Sequence, residues 1–94
     1  MLRDYELAYI LNPEIPEEEL PRVVEELHKL IEDRSGAVVN EDKWGVRKFA
    51  YPIGHFDKGN YIITQIQLDP VQVRPLESAL RLREDILRHL LLRL

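Results

Sequence analysis

Between Trp44 and Ile53 the sequence WGVRKFAYPI sets two adjacent cations, Arg47 and Lys48, among Trp44, Phe49 and Tyr51. Guanidinium and ammonium groups pair with phosphate, and aromatic rings stack on unpaired bases, so this stretch holds both parts of an RNA contact. The same residues admit a plainer use. Phe49 and Tyr51 can fix the strand that presents them, while Arg47 and Lys48 guard an exposed strand edge against aggregation. Residue types alone leave the two readings balanced.

Other chemistry is sparse. The three histidines, His28, His55 and His89, fall on a predicted helix, loop and strand, with no pair at a spacing that would put two imidazoles on one metal. Ser35 and Ser78 lack the flanking residues of an activated nucleophile. The acidic run Glu17 to Glu19 reads as a solvated helix start. The four glycines, at 36, 45, 54 and 59, form no phosphate-cradling loop. Cysteine is absent, which removes disulfides, thiolate zinc sites and thiol nucleophiles together and fits a reducing compartment. The residues therefore predict no catalysis, no metal, no cofactor and no small-molecule substrate.

The elements that must position the motif follow from periodicity. Arg3 to Leu11 alternates, with Tyr5, Leu7, Tyr9 and Leu11 on one parity, and reads as a first strand. Leu20, Val23, Val24, Leu27, Leu30 and Ile31 recur at helical spacing, so a helix with one buried stripe follows. Pro21 should place the regular helix start near itself or distort the first turn. Ser35-Gly36 looks like a left-handed helix stop, after which a strand runs from Ala37 to about Tyr51, with a bulge or bend at Gly45. Gly54 to Gly59 reads as a hairpin loop. Asn60 to Leu68 alternates again, with Ile62, Thr64, Ile66 and Leu68 toward the core and Tyr61, Ile63, Gln65 and Gln67 on an open face. Asp69-Pro70 caps a second helix that continues to about Arg83, with a kink at Pro75, and Ile86 to Leu94 is a final strand.

This order is βαββαβ. With right-handed crossovers and both helices burying their stripes on one face, it predicts an α+β, ferredoxin-like sandwich with a four-stranded antiparallel sheet. The first and third strands should be central and the other two should be edges. The 94 residues suit a single domain spanning 1–94. Charged residues at 3, 4 and 6 interrupt the start, and no run approaches the roughly 20 apolar residues of a membrane span. A soluble, cytoplasmic protein is expected. Seventeen acids against 13 bases give a charge of -4, which excludes gripping nucleic acid by bulk charge and leaves only a local patch.

Four segments, RDYELAYILNP, WGVRKFAYPI, GNYIITQIQLDP and LRLREDILRHLLLRL, resemble in this order the bacterial small-subunit ribosomal protein S6 family over nearly the whole chain. The resemblance implies a structural constituent of the small subunit. It would bind the central domain of small-subunit ribosomal RNA together with a small basic partner, ribosomal protein S18. Carried over by position, it implies Arg3, Tyr5, Arg47, Lys48 and Arg93 as RNA-binding residues, the cations on phosphate and Tyr5 stacking or packing beneath them. The alternative is a ferredoxin-like ligand-binding or homodimerising module without RNA. An acylphosphatase-like enzyme is disfavoured, because no glycine-rich anion loop with an arginine ends the first strand.

Overall fold

The computed structural model describes residues 1–94. Strand β1 spans Arg3–Leu11, helix α1 Leu20–Glu32, β2 Ala37–Ile53, β3 Phe56–Leu68, α2 Val73–Arg81 and β4 Ile86–Arg93, with short 3-10 turns at Glu17–Glu19 and Pro70–Gln72. The strands pair antiparallel in the order β2-β3-β1-β4. This is the ferredoxin-like sandwich that the periodicity implies, with β1 and β3 central.

Alternation along the central strands builds the core. Tyr5, Leu7, Tyr9 and Leu11 of β1 and Ile62, Ile66 and Leu68 of β3 lie buried against Val23, Val24, Leu27 and Ile31 of α1 and Leu76 and Leu80 of α2. Each such aliphatic side chain contributes about 1.5–3 kcal/mol on burial. Thr64 is the one polar residue in this layer, and its Oγ1 satisfies itself by donating to the Leu7 carbonyl at 2.9 Å.

Local chemistry sets the element ends, in places differently from the sequence reading. The 3-10 turn after Pro16 delays α1 until Leu20, so Pro21 sits at its second position, among amides that have no helical acceptor. The Asp69 carboxylate accepts the Val71 amide at 3.1 Å and holds the second 3-10 turn, which moves the start of α2 to Val73. Pro75 then lies in the first turn, where its missing N–H costs no helical bond, so the expected kink inside a longer helix has no basis. The left-handed residue after α1 is Ser35, at φ 60°, and not Gly36. Gly36 answers a different need: a Cβ there would come within 2.9 Å of the Gln67 carbonyl oxygen and of the Ile31 and Leu68 side chains.

The hairpin also differs from expectation. The turn is only Gly54 and His55, and β3 begins at Phe56, so the expected loop from Gly54 to Gly59 is mostly strand. Gly54, at φ 61°, supplies the left-handed backbone of a two-residue turn. Gly45 does mark a bulge: its φ is 81°, and the β2–β3 register shifts between Lys43 and Gly45.

Candidate nucleic-acid interface

The β2–β3 hairpin presents the cations of the central motif. Arg47 lies opposite Gly59, and Lys48 lies opposite Lys58. Paired residues of an antiparallel ladder share a face with Cβ atoms about 4.5–5.5 Å apart, and like charges placed so repel. All three cations are exposed, and none takes part in the molecule's ion pairs. Arg47 donates through Nε to the Trp44 carbonyl at 3.2 Å, which steadies its stem and leaves the outer guanidinium nitrogens free. The arrangement concentrates positive charge on a chain whose total is negative, and an anion lying between Lys48 and Lys58 would relieve their repulsion. Lys58 was not among the residues singled out from the sequence. Only the strand register could have found it, because ten residues separate it from Lys48 along the chain.

The rings divide by role. Phe49 folds back over Gly59, where an added Cβ would collide with Ile10 and with the Phe49 ring, and packs 6.0 Å from Tyr61 at an interplanar angle of 58°. It holds the strand. Tyr51, 83% exposed, does not share that packing role, contrary to the sequence reading; it lies in the part of β2 between Lys48 and Ile53 where the register with β3 is irregular. Trp44 is half exposed, with its Nε1 donating to Asp42 at 3.0 Å. At the hairpin tip the His55 and Phe56 rings stand 4.2 Å apart.

The other positions implied by the family resemblance lie elsewhere. Arg3 is opposite Leu68 and Arg93 opposite Tyr5, at the end of the sheet remote from the hairpin. Both arginines are exposed and unpaired. The ten-residue advance along β3 from Lys58 to Leu68 separates the two groups by about 33 Å at 3.3 Å per residue, in a molecule 39 Å long. The five residues therefore do not form one site. Tyr5 is a core residue, 6% exposed on the helix side, so it packs and is not placed to stack on a base.

Several of the other titratable groups tie the fold together. Arg83 bridges Glu26 of α1 at 2.8 Å and Asp85 at 2.6 Å. The bonds from Arg83 and then Arg22 hold Glu26 below the usual carboxylate range. Asp69 is likewise lowered, first by the Val71 amide and then by the N-terminal amine. His28 joins Glu41 across α1 and β2 at 2.7 Å. No three acidic or histidine side chains converge as metal ligands, and no helix is long and apolar enough to cross a membrane.

Comparison with known proteins places these features in a family context. The family model described as Ribosomal protein S6 matches residues 4–93. Small ribosomal subunit protein bS6 of Desulforamulus reducens is 33% identical over 92 residues, covering 98% of this chain and 97% of that protein. The protein of the same name from Caldanaerobacter subterraneus subsp. tengcongensis is 38% identical over the same shares. The crystal structure of 30S ribosomal protein S6 from Thermotoga maritima superposes with a TM-score of 0.92 at 35% identity, covering 100% of this chain and 89% of that one. A chemotaxis kinase CheA P2 domain, at TM-score 0.67 and 15% identity, shares the fold alone.

Proposed function

Because this chain belongs to the ribosomal protein S6 family, a structural component of the cytoplasmic small ribosomal subunit and not an enzyme, we propose that it binds the central domain of small-subunit ribosomal RNA jointly with ribosomal protein S18. The observation that carries the reading is the hairpin's unpaired cations: Lys48 stands opposite Lys58 on one face of the ladder, and Arg47, the next residue, projects from the other. Such a pair is unfavourable in the free protein and favourable once a phosphate lies between. Arg3 and Arg93, at the far end of the sheet, form a second and smaller phosphate contact. Tyr5 acts from below by fixing β1, which carries Arg3.

The chain's charge of -4 shapes the mechanism. Long-range attraction to RNA is weak for an acidic protein, whereas attraction to a basic partner is strong. The pair then approaches RNA with more favourable charge than this chain alone, and binding is cooperative.

The test is titration of a central-domain RNA fragment at fixed salt, with S18 present, onto the wild type and the double variant Arg47→Ala/Lys48→Ala. The expected result is weaker binding with an unchanged urea midpoint. Lost phosphate contacts also reduce the salt dependence of affinity, by about 0.7 in log-log slope per contact on single strands. Wild-type affinity in the double variant would remove these residues from the interface.

A further inference from the structure

The end of β2 borders a groove of about 240 Å³ lined chiefly by Phe49, Tyr51, Pro52, Ile10, Tyr61 and Arg88. Phe49 packs over Gly59 and beside Ile10, tilted against Tyr61, so the fold fixes the inner wall. Tyr51 differs: its ring is 83% exposed and serves no packing purpose. Pro52 restricts the Tyr51 backbone to extended geometry, so little freedom is lost when the ring is engaged. Two cations flank this aromatic group. Arg47 stands on β2 opposite Gly59, and Arg88 stands on β4 opposite Ile10. Neither makes an ion pair, and no acidic side chain lines the groove.

We propose that this groove holds one unpaired base of the bound RNA, stacked on Tyr51, with the adjoining phosphates on Arg88 and Arg47. The assignment rests on the RNA-binding reading and deepens it by naming what is held there and by adding Arg88 and Tyr61 to the contact. Shape and charge select the ligand. Bases of single-stranded RNA are held by stacking on aromatic side chains, and guanidinium groups pair with the phosphates on either side. A basic protein segment would meet two like charges with no acid to offset them, and an uncharged apolar ligand would leave both guanidinium groups unused. Lys48 and Lys58 face the opposite side of the ladder. The strand therefore passes over the free edge of β2, with phosphate on one side and the stacked base on the other.

Titration of the central-domain RNA fragment at fixed salt, with S18 present, onto the wild type and onto Tyr51→Leu, Tyr51→Trp and Arg88→Gln tests this. Both residues are exposed, so all three variants should keep the wild-type urea midpoint. Tyr51→Leu retains an apolar side chain but removes the π face, and affinity should fall about tenfold, within the range for one base–aromatic stack. Tyr51→Trp retains a π face and should bind at least as tightly as the wild type. Arg88→Gln should weaken binding and reduce its salt dependence by about 0.7 in log-log slope. Wild-type affinity in Tyr51→Leu, while Arg47→Ala/Lys48→Ala binds weakly, would overturn the groove assignment alone. Wild-type affinity in all of these variants would overturn the RNA reading of the hairpin together with it. A loss in Tyr51→Trp as large as that in Tyr51→Leu would rule out stacking and overturn the proposal. So would weaker calorimetric binding of S18 to Tyr51→Leu with RNA absent, which would give the groove to the protein partner.

Discussion

Lys58 and Tyr9 carry opposite lessons about single residues. The Lys58 ammonium faces Lys48 across the ladder, so Lys58→Ala should leave the free protein as stable as the wild type or more stable by a few tenths of a kcal/mol. The same change should weaken RNA binding in the presence of S18, because a phosphate contact is lost. Opposite signs in urea melting and RNA titration would distinguish a binding residue from a structural one, and a loss of stability would contradict the repulsion argument. Tyr9 is 2% exposed, and its hydroxyl finds no protein partner. Burial, then the nearby Glu41 charge, pushes its ionisation far above the ordinary tyrosine range. Tyr9→Phe removes a desolvated polar group at nearly constant shape and should stabilise the fold by about 1 kcal/mol in urea melts. Arg47 and Lys48 could be picked out from the sequence because their chemistry is local. Lys58 could not, since its importance exists only across the hairpin, and the parity that puts Tyr5 in the core competed with its place among the implied RNA contacts.

At the scale of elements, the hydrophobic periods of β1, α1 and β3 identified the layers correctly because each has one face in the core and one outside. The boundaries were harder to read. Two 3-10 turns, one following Pro16 and one held by Asp69, shift the helix starts, and a serine rather than a glycine takes the left-handed position after α1. What ties these elements together includes exposed and half-buried ion pairs whose behaviour with pH has a definite sign. Glu26, bonded to Arg83 and Arg22, and Asp69, bonded to the Val71 amide and the N-terminal amine, both have lowered pKa values in the folded protein. In the unfolded chain they titrate in the ordinary carboxylate range. Their contribution is therefore complete above that range and is lost as pH falls through the lower folded values. The urea midpoint should drop on acidification from the ordinary carboxylate range downward. Glu26→Gln should flatten that drop and cost some stability at neutral pH, because α1 then loses its tie to the turn before β4. A Glu26→Gln profile parallel to the wild type through this acid window would show that the ion pair does not govern it.

Across the whole molecule, charge is segregated in a way that the net figure conceals. The chain carries -4, yet five of its unpaired cations lie at the two ends of the sheet, with Arg47, Lys48 and Lys58 on the hairpin and Arg3 and Arg93 about 33 Å away by strand rise. Composition could exclude binding by bulk charge, but it could not show that the candidate residues form two groups, since that follows from an antiparallel register linking distant parts of the chain. Groups so far apart, with no shared partners, should contribute independently, their effects adding to within about 0.5 kcal/mol. Arg47→Ala/Lys48→Ala, Arg3→Ala/Arg93→Ala and the quadruple variant, titrated with the same RNA fragment and S18 across a salt series, make this quantitative. Each pair should lower affinity and reduce the salt slope, and the quadruple variant should show the sum. A silent Arg3→Ala/Arg93→Ala pair would confine RNA to the hairpin end. A quadruple variant no worse than the hairpin pair, although each pair weakens binding alone, would mean that RNA engages the two ends as alternatives rather than together.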